Sequence, residues 1–162
     1  MSEDSFLPEN YTPPTGNYTK LKDGENRLRI LSSPILGWLD FIDNKPVRTR
    51  MSEPKPRPHD PTKKVKHFWA MVVWNYAEGK IQVWEPTQSG IQSAITNLAK
   101  DQEWGNPREY DIKVTKKGSG METEYSVVPS PKKKVDDNII VLLSDVKVNL
   151  DELYSGGDPL QF

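Results

Sequence analysis

The segment 66–86, KHFWAMVVWNYAEGKIQVWEP, carries Trp69, Trp74 and Trp84, three of the five tryptophans of the chain. Just before it, between Lys45 and Lys66, eight cations (Lys45, Arg48, Arg50, Lys55, Arg57, Lys63, Lys64, Lys66) stand against two acids, Glu53 and Asp60. Indole rings interleaved with cations suit one chemistry well. A flat π-face stacks on an unpaired base for about 1–3 kcal/mol whatever the base, and a neighbouring cation neutralises the phosphate. A duplex hides its base faces, so the pattern points to single strands. The residues that would supply it are Trp38, Trp69 and Trp84 with Arg27, Arg29, Arg48, Arg50, Lys64 and Lys66, joined by a second basic group at Lys113, Lys116 and Lys117.

Other chemistries find little footing. The chain has no cysteine and two histidines, His59 and His67, which excludes a thiolate metal site and leaves no metal or cofactor expected. No nucleophile-elbow pattern accompanies the serines. KKGSGM lies between two strand patterns, not between a strand and a helix, so it reads as a hairpin turn and not as a phosphate-cradling loop. Glu122 and Glu124 share one face of a strand, where a solvated exterior accounts for them. A non-enzymatic protein is expected.

Alternating apolar residues define the elements that would hold these side chains. NRLRIL (26–31) reads as a strand with Leu28 and Ile30 inward and Arg27 and Arg29 outward. ILGWLDFI (35–42) is a second strand whose glycine suggests a bulge or bend. The prolines of SEPKPRPHDPTKK (52–64) exclude a central strand and predict a long, basic, mobile loop. HFWAMVVW and KIQVWE form a hairpin, with the Phe68, Ala70, Val72 set lining the core and Trp84 on the more polar side of its strand. In 87–101, Thr87 as cap and Ile91, Ala94, Ile95 and Leu98 at helical spacing predict a helix that packs on the sheet and covers Trp69 and Met71 if the second face needs a cover. YDIKVTKKGSGMETEYSVVP (110–129) predicts a second hairpin. Residues 135–145 suit a strand by β-branching and a helix by spacing, and both remain open. The resulting fold class is mainly β (α+β): an OB-fold-like small barrel over 21–148 with one inserted helix, an extended N-terminal arm over 1–20 and a flexible acidic tail over 149–162.

At 162 residues the chain suits one domain, and its formal net charge of −1 conceals a basic body and an acidic end. From Asp136 onward, six acids stand against Lys147 alone. The start, MSEDSFLPENYTPPTG, has neither the basic residues nor the apolar run of a secretion signal, and no segment approaches the ~20 apolar residues of a membrane span. A soluble, cytoplasmic protein without a membrane partner is expected.

The pieces KLKDGENRLRIL, FWAMVVWNY with KIQVWEPTQSGI, WGNPREYDI and KKGSGMETEYSV resemble, over about Lys20 to Leu153, the single-stranded DNA-binding proteins of tailed phages and prophages related to the T-even helix-destabilising protein. The resemblance implies an OB-fold that coats unpaired DNA in replication, recombination and repair. It assigns DNA contacts to Arg27, Arg29, the FWAMVVWNY aromatics, Lys116 and Lys117. The phage prototype holds zinc through cysteine and histidine; MSEPKPRPHDPTKK offers His59 and no cysteine, so the resemblance implies no metal here. GGDPLQF, with Asp158 near Phe162, is similar in kind to the acidic, aromatic-ended tips by which bacterial single-stranded DNA-binding proteins recruit partners, which would make replication or recombination proteins its contacts. Two other readings stay open: a single-stranded RNA-binding module using the same groove, and a protein-interaction adaptor in which the outer aromatics form an apolar hot spot.

Overall fold

The computed structural model describes residue 6 and residues 16–162. The first two strands, β1 (Gly24–Ile30) and β2 (Ile35–Ile42), both pair with β4 (Lys66–Asn75). Ile30 lies opposite Val73 and Ile35 opposite Ala70, so residues 31–34 on one edge face only 71 and 72 on the other. Val72 holds the first half of this bulge: its carbonyl accepts from the Leu31 N–H at 2.8 Å and its N–H donates to Ser32 Oγ at 2.9 Å. The two strands therefore follow one another along one edge of β4, bent in the middle. The bend separates two leaves: β2 continues to β3 (Lys45–Arg50), and β1 continues to β6 (Asp111–Lys117) and β7 (Glu124–Pro129). On the other edge of β4 lies β5 (Lys80–Trp84). The β2–β3 hairpin turns through Asp43 and Asn44, whose φ values of 53° and 63° are those of a two-residue turn matched to strand twist.

This is one antiparallel sheet of seven strands, and it is not a closed barrel. Among the described residues β3, β5 and β7 form no ladder with one another. Closure is unnecessary because both faces are covered by other means. The outer edge of β5 is covered by residues 17–19: Val83 donates to Asn17 O at 2.7 Å and accepts from Thr19 N–H at 2.8 Å. Apart from these residues and their neighbours, the arm expected over 1–20 lies outside the described residues. Gly37 marks neither a bulge nor a bend; a Cβ there would strike the Thr49 carbonyl and the Phe68 ring, so the glycine makes room for core packing.

The sheet carries a separate core on each face. On one, helix α1 (Ser89–Lys100) places Ile91 and Ile95 over Leu28, Ile30, Met71, Val73, Trp84, Tyr110, Ile112 and Val114. The helix starts after Gln88 without a side-chain cap, so Thr87 is not its N-cap. On the other face, Phe68, Ala70, Val72, Ile81 and Val83 are roofed by helix α2 (Asp137–Ser144), a 3₁₀ segment (Leu150–Ser155) and the short pair β8 (Lys147–Val148) and β9 (Leu160–Gln161). Residues 135–145 thus contain a helix, with Ile139 and Leu143 one turn apart against the sheet. The segment 149–162, expected as a flexible tail, is packed instead: Leu153 and Leu160 are each 1% exposed. A strand apolar on both faces needs two covers, and the end of the chain is the second. No helix among the described residues is long and apolar enough to cross a membrane.

Candidate nucleic-acid interface

The register of β2 against β4 sets Trp38 opposite His67 and Leu36 opposite Trp69, all on the α1 side of the sheet. Diagonal neighbours on one face of an antiparallel pair lie about 7–8 Å apart, so Trp38 and Trp69 belong to one continuous stripe. The Trp38 and His67 rings meet at 5.3 Å between centroids, and Lys55 Nζ sits 5.4 Å from the Trp38 ring centre. His67 Nδ1 is 2.8 Å from the Gly37 carbonyl, which can only accept, so Nδ1 carries a hydrogen. Gln92 on α1 donates to the carbonyls of His67 and Pro86, both at 3.0 Å, fixing the helix against the stripe. Trp38, His67 and Trp69 are half-buried, and Leu36 is exposed. Trp38 Nε1 is buried with no hydrogen-bond partner among the described residues, a state that costs about 1–3 kcal/mol unless an acceptor arrives. Beside Trp69 a cleft of about 70 Å³ opens between Ser32–Pro34, Ile95 and Arg108.

The basic loop expected over 52–64 is tied to β2 at its middle by one hydrogen bond and turns on itself just after it. The His59 N–H donates to Asp40 Oδ2 at 2.8 Å, and Asp60 Oδ1 accepts from the Thr62 N–H at 2.9 Å and its hydroxyl at 2.7 Å. Anchored this way, the loop brings Lys55 over Trp38 and leaves Arg57, Lys63, Lys64 and Lys66 exposed.

The other predicted residues are not gathered here. Trp84 shares the Gln82 face of β5 as expected, but that face is covered: Trp84 is 2% exposed beneath α1 and is core, so its assignment to base stacking fails. Arg29 is also interior: it donates to Arg108 O at 2.8 and 3.1 Å and to Lys133 O at 2.8 Å, and faces Asp111 at 3.5 Å. Arg27 is half-exposed but committed, with Nη2 bonded to Asp111 Oδ2 at 2.6 Å and its guanidinium 5.0 Å over the Tyr76 ring. Tyr76 donates to Asp111 Oδ1 at 2.9 Å, and burial together with that carboxylate pushes its pKa up to about 12. Burial raises the pKa of Asp111, but the hydrogen bonds from Arg27 and Tyr76 and the charges of Arg27 and Lys133 outweigh it and hold the carboxyl below its ordinary value.

Strand parity sends Arg27, Lys113 and Lys117 to the face opposite the tryptophan stripe, and Lys116 to the α1 face at the far leaf. Arg48 and Arg50 point to the Phe68 side. Arg48 Nε donates to Glu85 Oε2 at 2.8 Å in a nearly buried pair. Burial raises the Glu85 pKa, and Arg48 draws it back only in part. Arg50 lies 4.3 Å over the Tyr154 ring and 3.7 Å from Asp151. Of the twelve residues read from the sequence, the stripe keeps Trp38 and Trp69, with Lys64 in the adjoining loop; Lys66, opposite Leu39 of β2, has the parity of Phe68 and falls on the other face. His67, Leu36, Lys55 and Arg108 belong to it and were missed. His67 was legible, since it alternates with Trp69; Lys55 was not, because loop anchoring by Asp40 is a contact between distant positions.

No family model matches the chain, and no curated protein or solved structure matches it significantly.

Proposed function

We propose that this protein binds single-stranded DNA, without catalysing a reaction, by stacking bases on Trp38 and Trp69 and neutralising phosphates with Lys55, Arg57, Lys63 and Lys64. The observation that carries this reading is Trp38: a half-buried indole set between the His67 ring and the Lys55 ammonium. The aromatic rings accept any base, so sequence preference is small. An open, OB-type arrangement, in which the bent β1–β2 edge turns one sheet into two leaves, is part of the same proposal. So is a role in covering unpaired DNA during replication, recombination or repair in the cytoplasm, which rests on the sequence resemblance.

Titrating tryptophan fluorescence with single- and double-stranded oligonucleotides over a salt series tests it. The expected result is quenching by the single strand at much lower concentration than by the duplex. With about four phosphates engaged, log affinity falls with log salt at a slope near −3, from ~0.7 per phosphate. Equal affinity for both forms, or no salt dependence, overturns the reading. A matched RNA oligomer that outcompetes the DNA moves it to single-stranded RNA.

A further inference from the structure

The sheet stays open between β3 and β5, and the gap holds a basic cavity. Among the described residues β3 carries no ladder on its outer edge, and across from it residues 17–19 cover the outer edge of β5. The two sides touch where Arg48 of β3 bonds Glu85, one residue past β5. There lies a cavity of about 710 Å³, a size that suits a small molecule, lined by Lys20, Lys45, Arg48, Tyr18 and Phe41. The rest of its described lining is proline and glycine, so three cations meet no acid there. Of the acids around it, Glu85 is held by Arg48, Glu152 lines a separate cavity with Arg50, and Asp43 and Asp158 are exposed to water. The cavity lies on the Phe68 side of the sheet, because Tyr18 bridges to Val83 and Phe41 shares the parity of Leu39.

Arg48 is the fixed point of this cavity. Its side chain is 9% exposed, its guanidinium lies 6.0 Å over the Phe68 ring and its Nε donates to Glu85 Oε2 at 2.8 Å. Among the described residues its Nη1 and Nη2 take no hydrogen bond, so a guanidinium oriented by a carboxylate keeps its terminal donors for two oxygens of one anion. A carboxylate brings one charge to three cations, whereas a phosphate monoester brings about −1.5 to −2 at neutral pH. Tyr18 and Phe41 are 41% and 47% exposed, two rings left open beside those cations, and their faces suit a flat aromatic ring. We propose that this cavity binds a nucleoside phosphate, with the phosphate on Arg48, Lys20 and Lys45 and the base against Tyr18 and Phe41. The site faces away from the tryptophan stripe and stands whether or not that stripe binds nucleic acid.

Calorimetric titration of the full chain, freed of nucleic acid, with AMP, adenosine and inorganic phosphate at low salt tests it. AMP is expected to bind at least tenfold tighter than adenosine or phosphate, because each of these lacks one half of the contacts. Phe41→Ala and Lys45→Ala are each expected to weaken AMP binding at least fivefold; both side chains are exposed, so thermal melting should be nearly unchanged. A 5′-phosphorylated dinucleotide that binds tighter than AMP, with the same loss in Phe41→Ala, makes a strand end the source of the ligand. Weaker binding makes it the free nucleotide, and either result supports the site. No binding of AMP at millimolar concentration, phosphate binding as tightly as AMP, or full binding by both variants overturns the proposal. So does loss of AMP binding in Trp38→Ala with Phe41→Ala unaffected, which would place the nucleotide on the stripe. Failure of oligonucleotides to quench the tryptophans would overturn only the single-strand reading.

Discussion

Arg27 reaches Asp111 from the solvent side of the sheet, its Nη2 donating at 2.6 Å to a carboxylate that is wholly buried. Asp111 also faces Arg29, Lys133 and the Tyr76 hydroxyl, so one interior charge organises four side chains from three parts of the chain. Asp111→Asn should destabilise the protein by about 3–5 kcal/mol, because it leaves the interior Arg29 without a counter-charge. The folded pKa lies below the unfolded value of about 3.9, so the stabilisation is complete above that pH and is lost as pH falls through the folded value. Thermal melts of the parent protein should drop below about pH 4, and those of Asp111→Asn should be flatter there.

Arg48→Ala should cost about 3–5 kcal/mol near neutral pH by stranding Glu85 in a nearly dry site. Glu85 already has a raised pKa, burial being the larger cause. A raised folded value favours the protonated form, so its contribution is present below the unfolded pKa and lost as pH rises through the folded one. The penalty in Arg48→Ala should therefore be smaller in acid than at neutral pH, and Arg48→Ala with Glu85→Gln should recover part of it. Urea denaturation at two pH values checks both.

Trp38→Ala and Trp69→Ala should each weaken single-strand binding by about 1–3 kcal/mol, and Trp69→Ala should also lower the melting temperature, because its ring packs against the α1-side core. Trp84→Ala should do the reverse, losing about 3–5 kcal/mol of stability while the folded fraction binds as before. Fluorescence titration paired with thermal denaturation separates the two classes.

Replacing Lys63 and Lys64 by Ala should reduce the salt slope by about 1.4, two phosphates at ~0.7 each. Arg29→Met should lower stability and leave the slope unchanged, since its guanidinium meets backbone carbonyls and Asp111.

Removing the residues after 149 should unfold the chain or expose its Phe68 core, because Leu153 and Leu160 are buried there. Leu153→Ala alone should cost about 2–5 kcal/mol. Tight binding by a stable truncated protein would contradict the packing of this segment.

Alternation in β1, β4 and β5 and the helical spacing of α1 were enough to name those elements from the sequence, because burial on one side imposes periods of 2 and 3.6 on neighbouring residues. The same local rule placed Arg27 opposite Leu28 and His67 beside Trp69. It could not relate one strand to another. That Arg27 and Trp69 lie on opposite faces follows from Ile30 meeting Val73 and Ile35 meeting Ala70, pairings between residues about 35 to 43 apart in the chain. Nor could it show that residues 135–162 would cover the second face of β4, or that Asp40 would hold the basic loop over Trp38. Composition determined which side chains were available for stacking and charge neutralisation. Register, the bulge at 31–34 and long-range packing decided which of them share a surface, since each depends on free energy gained only when distant segments meet.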